Sequence, residues 1–346
     1  MTASGRPRTR GALRLAATGI ATAVIAAAAP AFEAAASVAG APTTIEATEL
    51  VQVAPVDPPR PTGDFGTVLE GGAFGPDGDL YFVRATAEAG RPKVVALDLD
   101  TLDVRTVFTD STSTFSSTQF SPTNGLLYVT DFAGTVIRMK PDGTDVTTIV
   151  SGDVLGAPVV YDDLAFDEAG NFYVTDMRGT PWAPTGRVLR FGPDGQDPVL
   201  LMDGLAAPNG IAFDPAHEGL WISEHTGGRV DHLHMTADGR VSSAHIGMQI
   251  DTGDARLDST AVDSEGNIYV AVWGGGKVLV LRPDGTLAAR IVIPDAAERG
   301  LDLTTNLAIK PGTTDGYLVT GGRGGGYVYT FTSLAPGGGQ SNGGGA

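Results

Sequence analysis

The segment YDDLAFDEAGNFYVTD, residues 161–176, shows one unit of a pattern that recurs along the chain. A polar residue, Asp162, precedes an aromatic residue, Phe166, by four positions. A turn follows at 168–170, and an apolar segment begins at 172. The polar position recurs after intervals of 46, 46, 47, 49 and 47 residues. Its six occurrences are Glu70, Ser116, Asp162, Asn209, Asp258 and Thr305.

A repeat of roughly 40 to 50 residues, built of short strands and Gly-containing turns, is typical of a β-propeller with one repeat per blade. The sequence therefore predicts an all-β fold at residues 65–335, a six-bladed β-propeller with four antiparallel strands per blade. The six polar residues would then face the central channel. The sixth repeat is one strand short, and the segment 43–53 supplies the missing strand. Residues 40–64 thus form an N-terminal closing strand and a Pro-rich connector, and closure removes an open sheet edge.

The two ends of the chain differ in composition from the repeats. Residues 1–39 combine four Arg, an apolar run at 15–29 and small residues at 37–39, as a secretory signal peptide does. The run is short for a membrane span, so we expect secretion or retention in the cell envelope, without stable membrane insertion after cleavage. An uncleaved anchor is the alternative. The Gly-rich segment 336–346 is expected to be a flexible tail.

Charge and cysteine content exclude several function classes. The formal net charge is −17, which disfavours binding to nucleic acids and anionic membranes, where basic groups dominate the contacts. The chain has no Cys, so a thiol nucleophile, an Fe–S cluster and a zinc–thiolate site are all excluded. We expect a monomer that acts on a small molecule.

Four of the recurring positions suggest a cation site. Glu70, Asp162, Asn209 and Asp258 supply three carboxylates and one amide. Two ionised carboxylates about 4 Å apart repel by about 4 kcal/mol at an effective dielectric of about 20, and a divalent ion would remove this penalty. Hard oxygen ligands favour Ca²⁺, with Mg²⁺ or Mn²⁺ as alternatives, and disfavour Zn²⁺. The competing interpretation is a polar channel lining that only binds water.

Two further oxygen donors directly follow these positions. Asp163 and Ser259 belong either to the same metal site or to the adjacent layer of the channel. Neighbours on a strand face opposite ways, and a bulge would exchange them, so the sequence leaves open whether Asp162 or Asp163 is the ligand.

These motifs resemble a known family. The segments 70–72, 162–167, 208–212 and 257–259 are similar to the metal-site motifs of the senescence marker protein/gluconolactonase/luciferin-regenerating family of six-bladed propellers. Segments 172–179, 267–274 and 276–280 resemble its drug-responsive bacterial lactonases in particular. The resemblance covers roughly residues 65–334.

The resemblance implies a metal-dependent lactonase. It implies a divalent metal held by Glu70, Asn209 and Asp258 with Asp162 or Asp163 assisting, and a proton-transfer role for Asp258. A metal ion acting as a Lewis acid and a carboxylate moving protons suit ester-ring opening by water. Val160 stands where sugar-lactone hydrolases of the family carry Arg, so a less polar lactone is expected.

Aromatic and basic residues near the predicted channel mouth are candidates for substrate contact. Arg178 and Trp182 lie in the long loop 176–186, and Trp273 follows the second strand predicted at 268–271. His225 is a lesser catalytic candidate. His232 and His234 alternate within a third strand and therefore share a face. Two His at that spacing could ligate a metal ion, but the strand lies away from the channel axis.

Two other functions compete with lactone hydrolysis. One is a non-catalytic propeller that binds a ligand or protein and holds a structural ion. The other is a propeller similar to strictosidine synthase, which would not need the set of Glu70, Asn209 and Asp258. Fold alone does not choose among them.

Overall fold

The computed structural model describes residues 41–59 and 63–344, and the predicted signal peptide lies outside these ranges. The described chain is all-β, with one short helix, α1 (Ala296–Arg299). No helix in these ranges is long and apolar enough to span a membrane.

Four sheets of four antiparallel strands follow one another along the chain, and each strand pairs with its neighbour in sequence. The first contains β3 (Leu69–Phe74), β4 (Leu80–Arg84), β5 (Pro92–Leu97) and β6 (Val104–Thr109). The second contains β7 (Phe115–Phe120), β8 (Leu127–Asp131), β9 (Thr135–Met139) and β10 (Thr147–Val150). The third contains β11 (Tyr161–Phe166), β12 (Phe172–Asp176), β13 (Gly186–Phe191) and β14 (Val199–Leu205). The fourth contains β15 (Pro208–Phe213), β16 (Gly219–Glu224), β17 (Arg229–Met235) and β18 (Val241–Gln249).

The last two repeats are joined into one nine-stranded sheet. The fifth repeat contributes β19 (Arg256–Val262), β20 (Ile268–Trp273), β21 (Lys277–Leu281) and β22 (Leu287–Val292). The sixth contributes β23 (Leu303–Ile309), β24 (Asp315–Gly321) and β25 (Gly326–Thr332). The strands of the two repeats pair directly with each other at one position, Trp273 of β20 with Leu303 of β23. The overall arrangement is that of a β-propeller.

The first strands of the six repeats surround a common axis. Each packs beside the next, and β23 packs beside β3, so β3, β7, β11, β15, β19 and β23 form a closed ring. The aromatic residue at the end of a first strand packs edge-on against a Tyr of the preceding repeat, as Phe166 does with Tyr128 and Phe213 with Tyr173. Phe74 packs in the same way against Tyr317 of the sixth repeat. The two residues that the sequence spaces four apart therefore have different roles: the first lies at the hub, and the second packs against the preceding sheet.

The N-terminal segment differs from the single closing strand that the sequence predicts. It forms two strands, β1 (Thr43–Glu46) and β2 (Thr48–Ala54). Only β2 completes the sixth repeat, by pairing antiparallel with β25. β1 instead pairs parallel with β22 of the fifth repeat. The break at buried Ala47 lets one segment tie the edges of two neighbouring repeats together.

The Gly-rich tail also differs from expectation, because residues 336–344 pack against the ring instead of extending freely. The Asn342 amide donates to the carbonyls of Leu164 and Ile211, both at 3.1 Å, and its side-chain oxygen accepts from Gln119 at 2.7 Å. The Ser341 hydroxyl accepts from the Phe74 amide at 2.7 Å. Backbone carbonyls of the tail also accept from first strands, Ser341 from Ile309 and Asn342 from Val262, each at 3.0 Å. The tail thus makes hydrogen bonds to all six repeats towards the C-terminal ends of their first strands.

Candidate active site

Four of the predicted hub residues line one cavity at the opposite ends of these strands. Glu70, Asp162, Asn209 and Asp258 are at most 5% exposed and border a cavity of about 510 Å³. The remaining lining is largely apolar, with three Thr and one His among it. It consists of Phe65, Val68, Ala85, Thr86, Thr112, Thr114, Phe132, Ala133, Met177, His225 and Trp273.

Each first strand carries a one-residue register shift at or beside its hub position. Such a bulge lets two consecutive side chains depart from strict alternation. Gly71 and Gly210 follow Glu70 and Asn209 because the neighbouring first strand passes very close. A Cβ at Gly71 would lie 2.4 Å from the Ser117 Cα, and one at Gly210 would lie 2.4 Å from a backbone nitrogen. The Glu-Gly and Asn-Gly pairs in the sequence therefore have a packing cause.

Hydrogen bonds leave specific oxygens of the cluster without partners. The Asn209 amide nitrogen donates to Asp162 Oδ2 at 2.7 Å, which fixes the amide orientation. Asn209 Oδ1 and Glu70 Oε2 are buried and accept no hydrogen bond. Asp258 Oδ1 accepts from the Ser259 backbone amide at 3.1 Å. Buried acceptors without partners are costly, so this set is suited to a cation that takes oxygen ligands.

Burial raises the pKa of Glu70, Asp162 and Asp258 well above the usual range for carboxyl groups. The negative charge of Asp258 raises the pKa of Glu70 further, and that of Asp162 raises the pKa of Asp258. The three groups hence resist simultaneous ionisation unless a positive charge lies among them. The carboxylate oxygens of Glu70, Asp162 and Asp258 do not all lie within 4.8 Å of one another. Ligation of one ion by all three groups would therefore draw the side chains inward or use bridging water.

Asp163 and Ser259 lie in a layer beside the cavity instead of in its lining. Burial raises the pKa of Asp163 to about 6, although hydrogen bonds with Ser259 and Ser117 oppose the shift. Ser259 Oγ also accepts from Asn306 Nδ2 at 2.7 Å. The structure thus separates the two neighbouring carboxylates: Asp162 borders the cavity, and Asp163 joins a polar network in the adjacent layer.

Two of the six recurring positions do not face the channel. Ser116 Oγ donates to the Tyr161 carbonyl at 2.9 Å, and Thr305 Oγ1 donates to the Leu69 carbonyl. Both hydroxyls bind the backbone of a neighbouring repeat. The expectation that all six positions line the channel is therefore wrong for these two, because a short hydroxyl side chain can satisfy itself on adjacent backbone.

The three predicted substrate residues occupy different environments. Trp273 lines the cavity and packs edge-on against Phe65 and His225, with ring centroids 5.9 and 6.1 Å apart. Arg178 forms a two-point ion pair with buried Asp176, at 2.9 and 3.0 Å, and is not part of the lining. Trp182 is 94% exposed and borders a neighbouring surface pocket.

His225 lines the cavity beside Asp258, a position that its local sequence does not predict. Its Nδ1 lies 2.8 Å from the Leu257 carbonyl and 3.9 Å from Asp258 Oδ2. Burial lowers the pKa of its imidazole to about 4, so the ring is neutral at neutral pH. The bond to Leu257 requires a proton on Nδ1, which leaves Nε2 as a hydrogen-bond acceptor. The sequence signal for this residue is only its place just after a second strand.

Comparisons with known proteins identify the family. The family model "SMP-30/Gluconolactonase/LRE-like region" matches residues 70–300. The chain belongs to this family. It is 29% identical over 299 residues to "Lactonase drp35" of Staphylococcus haemolyticus (strain JCSC1435), covering 83% of this chain and 90% of that protein.

Two solved structures show the same fold at low sequence identity. A luciferin-regenerating enzyme aligns with a TM-score of 0.68 and 18% identity, over 87% of this chain and 98% of that one. The calcium-binding protein regucalcin from Agrobacterium tumefaciens str. C58 aligns with a TM-score of 0.65 and 15% identity, over 85% and 98%.

Proposed function

We propose that this protein is an enzyme that hydrolyses lactones, with a divalent cation at the hub formed by Glu70, Asp162, Asn209 and Asp258. The observation that carries the proposal is a buried cluster of three carboxyl groups and one amide at the wall of a largely apolar cavity, in which Glu70 Oε2 and Asn209 Oδ1 accept no hydrogen bond. A pure scaffold has no use for this arrangement, because each buried carboxylate is costly. The lactonases similar to this chain support the reaction class.

The donor set suits an alkaline-earth ion. Glu70 Oε2 and Asn209 Oδ1 have no other partner, and Asp162 orients the Asn209 amide so that its oxygen remains available. Hard oxygen donors favour Ca²⁺, with Mg²⁺ or Mn²⁺ as alternatives. A cation bound there would act as a Lewis acid on the lactone carbonyl.

The protein groups supply the proton transfers. Asp258 lies at the cavity wall, accepts one hydrogen bond on Oδ1 and presents Oδ2 towards His225. We assign it as the general base that takes a proton from the attacking water and returns it to the departing ring oxygen. His225, held by Leu257, positions water or substrate through its free acceptor nitrogen.

The lining defines the substrate class. Of the described residues that border the cavity, none is Lys or Arg, and Phe132, Met177 and Trp273 provide apolar surface. A lactone with an apolar ring or side chain would bury that surface favourably. A polyhydroxylated sugar lactone would lose more hydrogen bonds to water than this largely apolar lining can replace. We therefore propose a less polar lactone or ester as the substrate.

Several expectations about the whole molecule belong to the same proposal. We propose that the described chain is a six-bladed propeller in which β19–β22 and β23–β25 with β2 are separate blades. Exported protein would lose residues 1–39 and act outside the cell or in the cell envelope, as a monomer. Purification of mature protein from the medium tests the location, N-terminal sequencing tests the cleavage, and light scattering tests the monomeric state.

The test of the function combines metal analysis with a lactone panel. Purified protein should contain about one divalent ion per hub and should hydrolyse lactones with apolar substituents faster than sugar lactones. Exhaustive chelation should abolish hydrolysis, and Ca²⁺ should restore it. Metal bound without hydrolysis of any lactone or ester would instead favour a non-catalytic binding propeller. Full activity after complete metal removal would exclude the cation from the reaction.

A further inference from the structure

The outer strands of the fourth repeat bring three histidines together, far along the sheet from the hub strand. His232 and His234 lie two positions apart on β17, and His245 lies on the edge strand β18. The register places His245 directly opposite His232. One ring nitrogen of each residue lies within 4.8 Å of one from each of the others. This is the one such group of His or acidic side chains found among residues 41–59 and 63–344.

We propose that His232, His234 and His245 form a second metal site, which binds a borderline transition-metal ion such as Zn²⁺. Imidazole is a preferred ligand of Zn²⁺, Ni²⁺, Co²⁺ and Cu²⁺, and three imidazoles on one face are enough to hold such an ion. Oxygen-preferring Ca²⁺ would not compete for them. The site is therefore distinct from the hub in position and in ligand chemistry.

The innermost ligand is already held in place. The ring of His232 stacks on Trp221 with centroids 3.9 Å apart and planes 14° apart. Its Nε2 is buried and makes no hydrogen bond. The other two histidines are exposed, so their side chains can rotate the short distance that coordination requires, to about 2.0–2.1 Å from a zinc ion. One fixed ligand and two adjustable ones form a receptive site.

The electrostatic surroundings also favour a cation. Burial, together with the charges of His234 and His245, lowers the pKa of His232 to about 4, so this imidazole is in the neutral form that binds a metal ion. The Asp214 carboxylate lies beside His232, and both would contact the same Cβ at Gly219, at 2.5 and 2.3 Å. The two atoms concerned are Asp214 Oδ2 and His232 Nε2, so Asp214 can accept a hydrogen bond from Nε2 when Nδ1 binds the ion.

A metal here would connect the edge strand to the sheet. β18 is the last strand of its sheet and pairs only with β17 among the described strands. Two ligands from β17 and one from β18 make the ion a cross-link between them. We expect the ion to stabilise this edge without entering the lactonase reaction.

The experiment uses protein without a polyhistidine tag, saturated with Ca²⁺ to occupy the hub. Titration with Zn²⁺ should show one site per chain with micromolar or tighter affinity. Cu²⁺ or Ni²⁺ should quench the fluorescence of Trp221, which stacks on a ligand ring. His234→Ala and His245→Ala should each weaken binding at least tenfold, because each removes one of three ligands. Both residues are exposed, so the variants should fold.

Controls separate this site from adventitious binding. His217→Ala removes a histidine outside the cluster and should leave Zn²⁺ affinity unchanged. Trp221→Phe should retain Zn²⁺ binding and lose most of the quenching. The proposal is overturned if wild-type protein binds no Zn²⁺ at about 100 micromolar, a concentration that would nearly saturate a site of micromolar Kd. It is also overturned if the double variant His234→Ala/His245→Ala binds with wild-type affinity. Lactone hydrolysis should be the same in all these variants.

Discussion

Replacing Asp258 by Asn should separate stability from activity in a way that few substitutions do. The change removes a charge and keeps the shape of a side chain that is 2% exposed. In metal-free protein, burial and the charges of Asp162 and Asp163 raise the pKa of Asp258. A carboxyl group whose pKa is higher in the folded than in the unfolded state destabilises the fold as pH rises through that range. The substitution removes this cost.

The size of the effect follows from Coulomb's law. Two ionised carboxylates about 5 Å apart repel by about 3 kcal/mol at an effective dielectric of about 20. Proton uptake already relieves part of that repulsion, so we expect metal-free Asp258→Asn to be about 1–3 kcal/mol more stable than wild type at pH 8. Because about 1 kcal/mol shifts the Tm of a domain of this size by about 2–4 °C, the Tm should rise by several degrees.

With Ca²⁺ present the stability difference should reverse, so that wild type becomes more stable than Asp258→Asn. The variant has lost one anionic ligand, so Ca²⁺ should raise its Tm less than it raises that of wild type. Lactone hydrolysis should fall at least 10²-fold, since an amide cannot take the proton from water. Thermal unfolding with chelator and with Ca²⁺, beside a lactone assay, measures all three quantities.

A matched control lies on the same repeat. Asp263 is also fully buried, but its carboxylate accepts from Asn267 at 2.8 Å and from Tyr269 at 2.9 Å. Asp263→Asn should therefore destabilise the protein by about 1–3 kcal/mol with or without Ca²⁺. It should retain hydrolysis at temperatures where it is folded. Our reasoning fails if Asp258→Asn keeps full activity, or if its metal-free form is less stable than metal-free wild type.

Three further predictions concern the cavity, the tail and pH. Trp273→Ala should raise KM for apolar lactones by about tenfold or more, because the substrate loses apolar contact with the cavity wall. Substitution of the exposed Trp182 by Ala should leave KM unchanged. Equal effects of the two substitutions in a steady-state assay would contradict the proposed pocket. Asn342→Ala removes three hydrogen bonds to the ring of first strands. It should lower the free energy of unfolding by about 2–4 kcal/mol in denaturant titrations. An unchanged unfolding midpoint would show that the tail does not hold the repeats together. Chelated wild-type protein should lose stability as pH rises from about 4 to 8, because the pKa values of Glu70, Asp162 and Asp258 are raised on folding. Ca²⁺ should remove most of this dependence of stability on pH. Tm values measured across that pH range with and without Ca²⁺ check the prediction.

The sequence was most informative where one physical requirement repeats. The spacing of a hub residue and an aromatic residue recurs because each repeat must both face the axis and pack against its neighbour. That regularity predicts the propeller and assigns Glu70, Asp162, Asn209 and Asp258 to one hub, and the four residues border one cavity in the structure. The same regularity misled at Ser116 and Thr305, whose hydroxyls bind neighbouring backbone. Composition likewise misled at the Gly-rich tail, because Gly also permits close packing at the centre of a ring.

By itself, the sequence determined the all-β repeat pattern, the acidic character and the choice of oxygen donors, since these depend on local periodicity and residue type. Only the tertiary structure decided which of Asp162 and Asp163 borders the cavity, that Trp273 lies in the wall while Trp182 is exposed, and that His245 joins His232 and His234. Each of these depends on strand register, on bulges and on contacts between segments distant in sequence. A one-residue shift in pairing turns a side chain to the other face, and no local pattern contains that information.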